Sequence, residues 1–178
     1  ELARRYLAWP RITRAFSLAH TTSELELHRL GLTTPDLERI QQLLSVLLYP
    51  HAALRADPAT LAANSKGQPG LWPHASSGDY PILLVYVGEQ EEMDLLREAL
   101  QAHAYWRNRQ IKIDLVILNE RGTSYDPELQ GQLLRLITRM NSDGWLNQRG
   151  GIFVLRADQM SEADRALLET SARAILDG

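Results

Sequence analysis

Two groups of residues in this sequence have the side chains needed to hold a hydroxylated ligand. Glu89, Asn119, Glu120, Arg121 and Asp158 each lie at or just past the end of an apolar segment, "ILLVYV", "IKIDLVILN" or "GIFVLRA". If those segments are strands of a parallel sheet, their carboxyl ends are where ligands bind, and acids, an amide and a guanidinium supply both acceptors and donors for a polyol. A second group lies in "LWPHASSGDYP", ahead of the first apolar segment: Trp72, His74, Ser77, Gly78 and Asp79. A tryptophan face stacks on the C–H side of a pyranose, while aspartate and histidine bond its hydroxyls. Each group has a plainer explanation. The strand-end residues also suit loops and helix caps on a wet edge. "SSGDYP" also suits a turn, with Gly78 at positive φ, Asp79 bonding nearby backbone and Tyr80-Pro81 forcing an extended chain.

The spacing excludes several other chemistries. After the first strand comes "VGEQEEMD", which is not G-x-G-x-x-G and puts Glu89, Glu91 and Glu92 where a pyrophosphate needs bare N–H groups. "SSGD" precedes the strand, the wrong end for a phosphate at a helix N-terminus. The five histidines show no metal-ligand spacing, and no G-x-S-x-G elbow accompanies Ser76 or Ser77. His103 falls on a helix face, as a satisfied, partly buried histidine would. A receiver-like signalling domain needs a phosphoacceptor aspartate on a later strand, yet Asp114 falls inside its strand. Trp145 sits in the loop "DGWLNQRGG" as a lid or an interface residue. Neither a catalytic residue nor a metal site is expected.

The elements that would position these residues fall into two kinds. Residues 1–64 form a helical lobe. One helix starts near Pro10 and runs to Leu30, with Ile12, Phe16, Ala19, Leu27 and Leu30 along a stripe and Gly31 as its terminator. A second starts at Thr34 as N-cap, buries Leu37, Ile40, Leu44, Leu47 and Leu48, and stops at Pro50. Asp57-Pro58 opens a short third. Residues 65–80 are a connecting loop. Residues 81–178 then alternate: strands at 82–87, 111–119 and 151–157, helices at 91–106, 127–140 and 161–176. Asp126 caps the second of these helices, and Ser161 with Asp164 forms a capping box on the third. Near-continuous apolar strands separated by amphipathic helices predict an α/β domain: a three-stranded parallel sheet in β-α-β-α-β-α order, covered by helices on both faces through right-handed crossovers.

Composition bounds the partners. The chain has 178 residues, 44% apolar and 23% charged, enough for a core without staples. A net charge of −3 gives no nucleic-acid footprint, and with no cysteine there is no thiolate chemistry or disulfide. "PILLVYV" is the longest apolar run, far short of the roughly 20 residues that span a bilayer, so no direct membrane insertion is expected. The first residues, "ELARRYLAWP", begin in mid-pattern, as a fragment of a longer chain does.

Taken in order, "LWPHASSGDYPILLVYV", "LREALQAHAYWRNRQIKIDLVILNE" and "GGIFVLRADQMSEADRALL" resemble the cyclic β-1,2-glucan synthases. The upstream "ITRAFSLAHTTSELELHRLGLTTPDLERIQQLLSVLLYP" resembles the helical stretch preceding this region in that family, so the likeness covers essentially the whole chain. The sequence departs from the family pattern at Ala75 and Ser76, where a glycine and an aliphatic residue precede Ser-Gly-Asp. The resemblance implies a very large parent in the bacterial inner membrane that polymerises glucose from UDP-glucose. It also implies a soluble, cytoplasmic place for this segment inside a portion similar to the cellobiose and chitobiose phosphorylases. Its implied role is non-catalytic and without cofactor. The partners would be adjacent domains of the same polypeptide, with β-1,2-glucan as a further contact. The rival expectation is a small stand-alone α/β enzyme using Asp79, Asn119, Glu120 and Asp158 on a hydroxylated or sugar substrate. It requires a deep pocket at the strand carboxyl ends with a carboxylate pKa raised by burial.

Overall fold

The computed structural model describes residues 9–74, 77–89, 92–121 and 127–177. The chain divides into two compact units, with the boundary between Arg39 and Ile40.

In the first unit, helix α1 (Trp9–Leu30) contains no buried residue; Trp9, Phe16, Leu18 and Leu25 are all exposed. Its apolar stripe therefore has no cover within this unit. Gly31 ends it at φ 65°, with Leu32 N–H reaching back to the Leu27 carbonyl at 2.9 Å. Helix α2 (Thr34–Leu48), which begins in this unit and continues into the second at Ile40, is capped one residue earlier than the sequence predicts. The Thr33 carbonyl accepts the Leu37 N–H, while the Asp36 carboxylate takes both the Thr33 N–H (2.7 Å) and its hydroxyl (2.5 Å). Those bonds hold the Asp36 pKa below its ordinary value. Of the expected α2 face, Ile40 and Leu47 are buried, whereas Leu48 is exposed.

The second unit holds α3 (Pro58–Ala63), whose N-cap Asp57 accepts the Ala59 and Thr60 N–H groups. It then builds β1 (Ile82–Val87), α4 (Met93–Asn108), β2 (Asp114–Asn119), α5 (Pro127–Arg139), β3 (Ile152–Arg156), α6 (Glu162–Ser171) and β4 (Ala172–Leu176). The sheet is parallel throughout but has four strands, in the order β3-β2-β1-β4. This corrects the three-stranded expectation. Residues 161–176 are not one helix: α6 stops at Ser171, and the chain turns at Ala172 (φ −62°, ψ 136°) straight into β4. No glycine or proline marks that junction, and "ARAIL" has helical composition. Only the buried-exposed-buried alternation of Ala172, Arg173 and Ala174 betrays a strand.

Strands β1 and β2 are buried at every position, as a sheet covered on both faces requires. Ile82, Leu84, Tyr86, Val116, Leu118 and Phe153 share one face with Leu167 and Leu168 of α6. Leu71 joins this cluster, because residues 68–74 of the predicted loop form a 3-10 helix that presses it onto the sheet. On the opposite face lie Leu83, Val85, Leu115 and Ile117. Connections through α4 and α5 run one way across the sheet and the connection through α6 runs back. Right-handed crossovers then put α4 and α5 on this face and α6 on the other. Met93, Leu96, Leu100 and His103 line the buried side of α4, as their spacing predicts.

Candidate functional site

At the amino ends of the strands, Gly78 takes φ 69° in the turn that feeds β1. A Cβ there would meet the Leu71 Cδ1 at 2.9 Å, so the turn and the Leu71 segment need a glycine to pack together. Gln68 Nε2 donates to the Ser77 carbonyl (2.8 Å) and to the Asp79 Oδ1 (3.3 Å), and the Asp79 N–H points to the Ser77 Oγ at 3.4 Å. From the loop before β3, Arg149 donates to Asp79 Oδ2 at 2.5 Å while lying over the Tyr80 ring. Gln68, Leu71, Gly78, Asp79 and Tyr80 border an open cavity of about 370 Å³ whose wall also includes Lys66 and Arg173. Trp72 stands beside this region, 64% exposed. His74 is mostly buried, with Nε2 3.8 Å from the Asp164 Oδ1. Asp164 is already held by Lys66 (2.6 Å) and by the Ser161 hydroxyl (2.6 Å). These bonds, Lys66 first, bring its pKa down to about 2. Ala75 and Ser76 lie outside the described residues.

At the carboxyl ends the polar groups close on one another. Asn119 is buried and acts as a bracket: its Nδ2 donates to Gln130 Oε1 (3.1 Å) and its Oδ1 accepts the Arg121 N–H (3.0 Å). Arg121 also pairs with Glu89. Asp158 is gripped by both Nε (3.0 Å) and a terminal nitrogen (2.5 Å) of Arg156. Glu120 accepts from Arg165 at 2.5 Å, and Arg165 Nε donates to Glu169 at 3.1 Å. The Tyr86 hydroxyl donates to the same Glu169 oxygen at 2.5 Å. Burial, then that carboxylate, raises the Tyr86 pKa. Ahead of α4, the Glu92 carboxylate takes the Gly88 and Glu89 N–H groups at 2.5 and 3.0 Å. It occupies the backbone donors that a phosphate would use.

The structure therefore brings Ser77, Gly78 and Asp79 to one end of the sheet and Asn119, Glu120 and Asp158 to the other, while Trp72 and His74 lie on the 68–74 turn, His74 against Asp164 in the first turn of α6. The six residues of β1 or β2 separate the two groups by about 20 Å. They are two places and not one site. Four participants escaped sequence reasoning. Tyr86 looked like one more apolar strand residue, and Arg149 like loop filler. Arg165 and Glu169 carried a signal, since an Arg–Glu pair four apart on a helix marks a shared face. His103 is buried, with Nε2 3.0 Å from the Ile113 carbonyl and 3.2 Å from that of Gly150. Trp145 packs its ring against the Arg107 guanidinium, 4.6 Å away.

Among the described residues, no group of three or more histidine, aspartate or glutamate side chains could hold a metal ion. No described helix is long and apolar enough to cross a membrane.

Fold and strand ends together define a parallel α/β module whose edge acids are tied into ion pairs and turns. No family model matches the chain. Over 161 residues it is 35% identical to cyclic beta-(1,2)-glucan synthase NdvB of Rhizobium meliloti (strain 1021), a match covering 88% of this chain and 6% of that protein. The chain is thus similar, along nearly its whole length, to a short segment of a cyclic β-(1,2)-glucan synthase.

Proposed function

We propose that the chain is an accessory, non-catalytic module of a cyclic β-1,2-glucan synthase. It sets the positions of neighbouring carbohydrate-processing domains in the same polypeptide, and its Trp72–Asp79 loop meets glucan or a domain interface. The observation that carries this reading is the 35% identity over 88% of the chain to a segment of such a synthase. The engagement of the strand-end carboxylates supports the non-catalytic part: Glu120 is tied to Arg165, Asp158 to Arg156 and Glu89 to Arg121. The displaced carboxyl pKa values, at Asp36, Asp57 and Asp164, all move downward, away from what a general acid needs at neutral pH. Exposed Trp72 and Tyr49 fit a surface that another domain covers. In this setting the parent is a UDP-glucose-dependent enzyme of the bacterial inner membrane. The module lies in its soluble cytoplasmic part, beside phosphorylase-like domains.

The test is incubation of the purified chain with UDP-glucose and with β-1,2-gluco-oligosaccharides, followed by product analysis. The expected result is no turnover of either. Consumption of either compound would overturn the reading in favour of a stand-alone α/β enzyme.

A further inference from the structure

The fourth strand creates a feature that three strands in sequential order lack. From β1 the chain steps to β2 and β3 on one side, then returns to place β4 on the other side of β1. The carboxyl ends of β1 and β4 therefore flank a topological switch point, where the loops diverge and leave a crevice. An open cavity of about 350 Å³ lies there, bordered by Arg55, Tyr86, Glu120, Arg165, Glu169 and Asp177. We propose that this crevice is a binding site for a neutral polyhydroxylated ligand, the glucose units of a short β-1,2-linked glucan. The choice of glucan among such ligands rests on the function proposed above; the site itself rests on the fold.

Three observations set the ligand class. First, the wall disfavours anions. It carries the carboxylates of Asp57, Glu120, Glu169 and Asp177 against the guanidiniums of Arg55 and Arg165. Both guanidiniums are engaged, Arg55 with the Thr170 carbonyl (2.8 Å) and Arg165 with Glu120 and Glu169. The nearby loop amides already hold Glu92. The four carboxylates outnumber the two guanidiniums, so a nucleotide phosphate meets a wall of net negative charge. Second, the acceptors are pre-aimed. Arg165 fixes one oxygen of Glu120 and one of Glu169, and the Tyr86 hydroxyl fixes Glu169 further. Among the described residues, the second oxygen of each carboxylate has no hydrogen-bond partner, so each presents an acceptor whose direction is set before the ligand arrives. Vicinal hydroxyls of a sugar ring donate to such fixed acceptors, and little ordering cost remains at binding. Third, the size suits one or two sugar rings, at the lower end of the roughly 300–1,000 Å³ typical of small-molecule sites.

The experiment is a titration of the isotopically labelled chain, followed by amide chemical shifts. The probes are β-1,2-linked diglucose, longer β-1,2-gluco-oligosaccharides and, separately, UDP-glucose. The expected result is a saturable shift of the Gly88, Glu120 and Ile175 amides with the neutral sugars. The affinity should be on the order of 1 mM, because the pocket is open and lacks an exposed aromatic platform. Glu120→Ala and Arg165→Lys, both at half-exposed side chains, should each weaken it by about tenfold, while Arg139→Ala in the exposed last turn of α5 changes nothing. Absence of shifts at saturating sugar would overturn the proposal. So would shifts confined to residues 78–81, or a response to UDP-glucose alone. Sugar binding and sugar consumption are read separately in the same samples, so loss of the site and failure of the non-catalytic reading give different results.

Discussion

Asp114 and Gly150 are joined by a 2.7 Å hydrogen bond from the glycine N–H to a carboxylate oxygen in the fully buried start of β2. The bond ties the loop before β3 to the amino end of its neighbour strand. It also answers the signalling possibility, because the one acidic residue within β2 is inside the protein at the end opposite the strand carboxyl termini. Asp114→Ala should cost about 2–3 kcal/mol, since it strands a buried donor, with Asp114→Asn milder. Gly150 sits at φ 70°, so Gly150→Ala should cost about 1 kcal/mol through backbone strain. Urea denaturation of the three variants checks the order.

His103 couples stability to pH. Burial first, then the nearby Arg107 charge, lowers its pKa from 6.5 to about 4. The folded protein thus keeps the ring neutral where the unfolded chain protonates it. Its contribution is fully present above about pH 6.5 and is lost as pH falls toward 4, at up to about 1.4 kcal/mol per pH unit. Melting temperature measured from pH 7 to 4 should fall across that window. His103→Gln should flatten this part of the profile, at the cost of lower stability at pH 7.

Leu71 and Trp72 are adjacent and do opposite things. Leu71 is 2% exposed and belongs to the sheet's core cluster, whereas Trp72 faces solvent. Leu71→Ala should destabilise by about 2–4 kcal/mol, and Trp72→Ser should stay within about 0.5 kcal/mol. Chemical denaturation distinguishes them. An equal effect would mean that the 68–74 turn is docked differently.

Glu92 acts as a built-in anion at the head of α4. Glu92→Ala should cost about 1 kcal/mol by freeing two loop amides. In that variant, sulfate or phosphate should restore melting temperature in a concentration-dependent way, and the unmodified protein should show no such rescue.

How far the sequence foretold this molecule varied with the strength of the local signal. Strands β1 and β2 and the buried side of α4 were legible because their apolar periodicity is long and bounded by turn residues. Strand β4 was hidden, because alanine and leucine favour helix and only pairing with β1 overrides that preference. The capping of α2 moved from Thr34 to Thr33 for a similar reason: two adjacent threonines offer the same chemistry, and Asp36 selects one. The Asp126 cap falls outside the described residues. The candidate residues near Asp79 and those near Glu120 each landed at a sheet end, as their places in the chain required. Their division into two places follows from the parallel strands. The Arg165–Glu120 bond, between residues on different elements, depends on tertiary packing that no spacing rule encodes.

The pairing of Ile82 with Ala172 sets the order in which the molecule can be completed. During synthesis β1 emerges first among the four, yet one of its flanks stays bare until β2, β3 and α6 have all left the ribosome and β4 follows. Until then a long hydrophobic edge is available for wrong partners. The folding rate should accordingly be governed by a late, distant closure rather than by the early helices. Shortening the chain before Ala172 would leave that seam permanently open and turn a well-behaved module into an aggregating one.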